Sequence, residues 1–169
     1  MKKIVLAVLI LLIGIGVVLS QTVFKSKPVH FHAGFQVYVD DKLQSFSDFK
    51  YMDETPCTKN GKPLPDVHED EQMEKAHLHD QIGDVVHVHR ENATWGDLFK
   101  NIKYPIDGQK ATAYIDGEKV DDFLTIEIEP YDSLVVFVGK HTDDKNYLKN
   151  AVKKDYIKQT EKKSETCSS

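Results

Sequence analysis

The residues of this chain whose types and spacing could do chemistry are histidines. Six of the eight stand in His-x-His pairs: His30/His32, His77/His79 and His87/His89. In an extended strand, residues i and i+2 project from one face about 6.5–7 Å apart, so each pair offers two imidazoles to the same side. The second and third pairs flank a turn in HLHDQIGDVVHVH, residues 77–89, which reads as a β-hairpin. Whether their imidazoles share a face depends on register, because a slip of one residue sends a whole strand's side chains to the other face. Leu78 is expected on the core face with Val86 and Val88. Facing residue numbers must then sum to an even value, for instance Leu78 opposite Val88, His77 opposite His89 and His79 opposite His87. That register predicts an odd-numbered loop around Ile82-Gly83-Asp84 with the glycine in the left-handed region.

Four histidines on one face can serve a metal. Opposite residues have Cβ atoms about 4.5–5.5 Å apart, near enough for one ion to take three imidazole nitrogens at about 2.0–2.1 Å. Such donors suit Zn(II), Cu(II) or Ni(II). The candidate ligands are His77, His79, His87 and His89, joined by His30 and His32, with Asp80 as an outer carboxylate able to orient an imidazole. The competing reading is a solvated histidine face acting as a pH-sensitive contact for a protein partner, since imidazoles protonated together below about pH 6.5 repel. A metal-dependent hydrolase or oxidase is a third. Asp80, Asp84 and Glu91 are near enough in sequence to act as bases, but H-E-x-x-H, nucleophile-elbow and phosphate-loop motifs are all missing. A non-catalytic role is therefore expected. His68, inside an acidic VHEDE run, and His141, after the last strand, read as surface residues.

Other elements must hold that face in place. Residues 29–50 read as a hairpin, with Val29, Phe31, Ala33, Phe35, Val37 and Val39 alternating against His30, His32, Gln36 and Tyr38, and a turn at Asp40-Asp41-Lys42. Residues 51–75 hold three of the six prolines and no apolar periodicity, which predicts an irregular excursion. A helix is signalled from Thr94, with Asp97 completing a capping box, Trp95, Leu98, Phe99 and Ile102 on one face, and Tyr104-Pro105 as the stop. ATAYIDGEKV then reads as strand, Asp-Gly turn and return, LTIEIEP as an alternating strand, and LVVFVG as a strand covered on both faces. This order predicts an α+β fold, a β-grasp (ubiquitin-like) roll with an extra N-terminal β-hairpin. Beyond Thr142, Tyr147, Leu148, Ala151, Val152 and Tyr156 fall at helical spacing among alternating charges, which predicts a solvated or loosely docked helix and a disordered end.

The pattern H77-x-H-D-x-x-G-x-x-x-H-x-H89, followed by T94-x-G-x-x-F99, resembles an uncharacterised family of exported bacterial and archaeal proteins. The resemblance covers about residues 29–139 and includes the His-rich strand running into a hairpin, here His30 to Lys42. It implies a β-grasp-like architecture, export and a histidine-centred site, and carries no activity. Two features depart from the family pattern: Glu commonly stands where this chain has His89, and a Cys stands only a few residues before the H-x-H-D, whereas Cys57 lies twenty residues upstream.

Composition bounds the rest. MKK precedes sixteen uncharged residues, and residues 4–24 form a stretch of about the length needed to cross a bilayer core. The expected organisation is a signal anchor at 1–24, an extracytoplasmic domain at 25–141 and a charged, partly helical tail at 142–169. Lys2 and Lys3 would stay cytoplasmic, and cleavage near Ser20 with secretion is the alternative. Cys57 and Cys167 are expected as free thiols, with pairing the alternative. A net charge of −5, with lysines interleaved among acids, argues against nucleic acid as a partner.

Overall fold

The computed structural model describes residues 28–53, 58–59, 62–63 and 71–164. The expected anchor at residues 4–24, together with Cys57, His68 and Cys167, lies outside them. Among the described residues no helix is long and apolar enough to cross a membrane.

The protein is a mixed α+β fold organised on one long strand, β1 (Pro28–Val39). Its alternation puts Ala33, Phe35 and Val37 on one face and His32, Gly34 and Tyr38 on the other. Along one edge, residues Gly34–Val39 pair in parallel with β8 (Ser133–Val138). Along the other edge the first half of β1 pairs antiparallel with β5 (Val85–Arg90), and its end pairs with the short β2 (Lys42–Leu43). The chain reverses into β2 through Asp40 and Asp41, both at positive φ. Beyond β8 come β6 (Ala111–Ile115) and then β7 (Glu118–Val120), joined by Asp116 and Gly117, which also have positive φ as a type I′ turn requires. A separate two-stranded pair, β3 (Thr58–Lys59) with β4 (Lys62–Pro63), lies within the excursion.

The first face of the sheet carries the main core. Helix α1 (Trp95–Asn101) starts with the expected capping box: the Thr94 hydroxyl accepts from the Asp97 N–H and the Asp97 carboxylate accepts from the Thr94 N–H. It buries Trp95, Leu98 and Phe99, together with Ile102, against Phe35, Leu78, Val86, Val88, Leu134 and Val136. The expected strand at LTIEIEP is not formed. Asp122 at φ +47 turns the chain into a 3-10 turn, Phe123–Thr125, that buries Phe123. The apolar alternation after it is satisfied by the helix entry instead of the sheet: Trp95 N–H donates to Ile126 O at 3.1 Å and Ile128 N–H to Ala93 O at 2.8 Å.

The second face is covered by the segment expected to be a loosely docked tail. It forms two helices, α2 (Asp144–Lys149) and α3 (Lys154–Ser164). Tyr147, Leu148 and Ala151 pack on Tyr38, Val135 and Phe137, while Val152 and Ile157 pack on Val85. The single expected helical stripe is broken between the two helices, so Tyr156 is exposed and Ile157, which that stripe left out, is fully buried. Gly34 permits this approach, because a Cβ there would stand 2.5 Å from Val152 Cβ. β8 is consequently buried on both faces, as its continuous apolar run predicts.

If the C-terminal helices belong to the fold, Ile157→Ala should lower stability by about 2–5 kcal/mol in chemical denaturation, the usual cost of a large-to-small change in a core. A loss below about 0.5 kcal/mol, the range of ordinary surface substitutions, would show instead that the segment is a loosely held tail.

Candidate metal centre

Three neighbouring extended segments bring histidines side by side. His32 of β1 and His87 of β5 are Cα partners. On its other side His87 exchanges both backbone bonds with His77, donating to His77 O at 2.9 Å and accepting from His77 N–H at 3.0 Å. Because both backbone groups of His87 turn toward His77, its pairing with His32 is of the non-hydrogen-bonded kind, in which side chains come closer together. The result is a row His32–His87–His77 across the sheet. His30 and His89 lie at one end with ring centroids 4.9 Å apart, and His79 lies at the other, 4.6 Å from His77 and 4.8 Å from His87.

All six candidate histidines thus lie in one connected cluster of imidazoles, though the register differs from expectation. His77 faces His87 rather than His89. An offset of two preserves the face, which is why Leu78 still enters the core with Val86 and Val88. The offset comes from the turn. Asp80 and Gln81 take positive φ and Ile82 N–H donates to His79 O at 2.9 Å, so the chain reverses there and not at a left-handed Gly83. Gly83 is required for a different reason: a Cβ there would lie 2.5 Å from the backbone of Phe46 and Ser47. The strand carrying His77 is short, held by a bridge to His87 on one side and by Asp53 N–H donating to Leu78 O at 2.9 Å on the other.

Helix α1 secures this segment from below. The Asn101 side-chain amide donates to Gln72 O at 2.7 Å and Ala76 O at 2.8 Å, and Lys75 pairs with Asp97 at 3.1 Å. Glu74 also pairs with Arg90 of β5.

Burial and nitrogen geometry define what the cluster can do. His32, His77, His79 and His87 are buried, whereas His30 is exposed and His89 partly so, which leaves one side open. His32 Nε2 and His87 Nδ1 stand 3.2 Å apart, and His30, His32 and His87 each offer one nitrogen to a group whose donor atoms all lie within 4.8 Å of one another. Two ligands of a tetrahedral ion with bonds of about 2.0–2.1 Å are separated by about 3.3 Å. His30, His32 and His87 could therefore hold a metal ion with little movement. His77 Nε2 and His79 Nε2 approach to 2.8 Å. His77 Nδ1 donates to Met73 O at 2.7 Å, which fixes the proton on Nδ1 and leaves Nε2 with a lone pair.

The outer groups are not those expected. Asp80 is exposed and, among the described residues, makes no hydrogen bond to an imidazole. The Met73 carbonyl holds His77 instead, and Glu161 of α3 places a negative charge near His32, its Oε1 3.7 Å from His32 Nδ1, beyond hydrogen-bond length, while its Oε2 accepts from Tyr131. Glu161 stood in a run of alternating charge, where no sequence signal separates it from its neighbours. Met73 contributes a backbone atom, which has no side-chain signature. His141 lies apart, bonded to Asp144 at 2.6 Å and stacked on Phe137.

Burial, reinforced by the neighbouring His30 and His79, lowers the His32 pKa from 6.5 to about 4. Burial and the surrounding imidazoles of His32, His79, His77 and His89 hold His87 well below the ordinary range. Both rings are neutral at physiological pH, the state from which an imidazole can ligate a metal.

Metal-free protein should lose stability as pH falls from 6.5 toward 4, because in that window the unfolded chain takes up protons that the folded one refuses. From His32 alone the loss between pH 7 and 5 is on the order of 2 kcal/mol, read by urea denaturation in chelator. A His32→Gln variant should flatten the slope, and an unchanged slope would contradict the assignment. No protein-family model matches the chain, and no curated protein or solved structure matches it.

Proposed function

We propose that this protein is a membrane-anchored, extracytoplasmic domain that binds a transition metal, Zn(II) or Cu(II), through its His-x-His pairs, without catalysing a reaction. One observation carries the reading: the His-x-His pair of β1 meets the two pairs that flank the turn more than forty residues later in one cluster with four of its six members buried. Packing neutral imidazoles together costs desolvation, and a bound ion repays it by accepting their lone pairs. A solvated histidine face would have no reason to bury four of its members. The hydrolase or oxidase reading is weaker, since Asp80 does not touch the imidazoles and the Asp84 carboxylate accepts from Tyr156.

The architecture we read as a β-grasp roll. The order β5-β1-β8-β6-β7, with β1 and β8 parallel and α1 between β5 and β6, supports this. Export rests on residues 4–24, whose apolar run follows Lys2 and Lys3.

The test is metal analysis of the full-length chain, purified in detergent without a His tag and desalted after incubation with Zn(II) or Cu(II). At least one tightly held equivalent is expected. Less than about a tenth of an equivalent for both metals would overturn the reading. Glu161→Gln, which removes a negative charge 3.7 Å from His32 Nδ1, should weaken affinity by about 10-fold, the lower end of the effect of losing a carboxylate beside a ligating imidazole, without altering the number of ions bound.

A further inference from the structure

The donor atoms of this cluster divide into two sets, and a single ion cannot use both as they stand. Two ligands of one ion with bonds of about 2.0–2.1 Å lie no more than about 4.2 Å apart. The histidines whose donor atoms fall mutually within 4.8 Å are His30, His32 and His87, and neither His77 nor His79 belongs to that group. Those two instead form their own close pair, Nε2 to Nε2 at 2.8 Å, near the separation of about 2.9 Å between adjacent ligands of a square-planar or octahedral ion.

Resting on the metal-binding reading, we infer that the cluster holds two ions: one on His30, His32 and His87, and a second on His77 Nε2 and His79 Nε2. His89 lies between the two sets, its ring 4.9 Å from that of His30 and 5.1 Å from that of His77, where it can complete either. The first site lies over the β1–β5 pairing and the second on the neighbouring segment that carries both His77 and His79, so the ions are separated by about one to one and a half strand spacings, roughly 5–7 Å.

Protons account for how the second site loads. With its Nδ1 proton donated to the Met73 carbonyl, His77 presents a bare Nε2, so the proton in the 2.8 Å contact belongs to His79 Nε2. Binding the second ion moves that proton from Nε2 to Nδ1 of His79, whereas His77 is already in the ligating tautomer. Imidazole donors around both positions fit Cu(II) and Zn(II), and among the described residues no thiolate that would favour Cu(I) stands beside them.

The experiment is a Cu(II) titration of the full-length protein, with bound copper counted after desalting and the loaded protein examined by electron paramagnetic resonance. Two equivalents are expected, with a half-field signal from dipolar coupling between ions a few ångströms apart. His79→Gln, which keeps the His77–Met73 bond, and His30→Gln, at an exposed position, should each reduce binding to one equivalent and abolish the half-field signal. Circular dichroism verifies that both variants fold. One equivalent in the wild-type protein would overturn the two-ion arrangement while leaving metal binding intact, whereas none would overturn both. Two equivalents without coupling would also overturn it, because the second ion would then lie elsewhere.

Discussion

The backbone pairing of His87 with His77 is the constraint on which the site depends. Its two hydrogen bonds turn the N–H and C=O of His87 away from β1, and that choice brings His32 and His87 together as a close, non-hydrogen-bonded pair. One row of imidazoles follows from one pair of backbone hydrogen bonds. The same pairing sends Leu78, Val86 and Val88 to the opposite face, where they meet Phe35, Leu98 and Trp95. The polar cluster and the apolar core are thus two sides of one register, and a slip of one residue would bury histidines in the core and expose valines.

A sheet with an apolar core on one side would ordinarily leave its other side to water. Here that side carries both the histidine cluster and the packing of α2 and α3, divided at Gly34. Ile157 and Val152 seat α3 on the sheet, and one turn further along the helix Glu161 reaches His32. The C-terminal helix therefore does more than cover apolar surface, since it places a carboxylate next to a buried imidazole. Helix α1 plays the matching role from below, its Asn101 amide fixing the carbonyls that precede His77.

Much of this was legible in the sequence because it follows from local periodicity. The capping box at Thr94, the buried face of α1, the Asp116-Gly117 turn and the two-sided burial of β8 are each written in a few adjacent residues. So was the shared face of the histidines, which requires only the parity of the register. The exact offset was not legible, because Asp80 and Gln81 adopt the left-handed conformation for which glycine at 83 is the expected residue. LTIEIEP alternates like a strand yet bonds to the helix entry, a choice made by tertiary contacts. The C-terminal segment misled for a related reason: α3 meets the sheet through few apolar residues, and the charge around Ile157 outweighs them in any local average. Nor could spacing reveal that β1 and β5, more than forty residues apart, would be neighbours.

The central claim is that these imidazoles bind metal together, and the most direct measurement is X-ray absorption at the zinc edge of the Zn(II)-loaded full-length protein. The account requires a first shell of nitrogen at about 2.0–2.1 Å with outer-shell scattering from three or more imidazole rings per ion on average, or from at least two if both sites fill. A shell dominated by oxygen or sulfur, or one with a single imidazole, would contradict it.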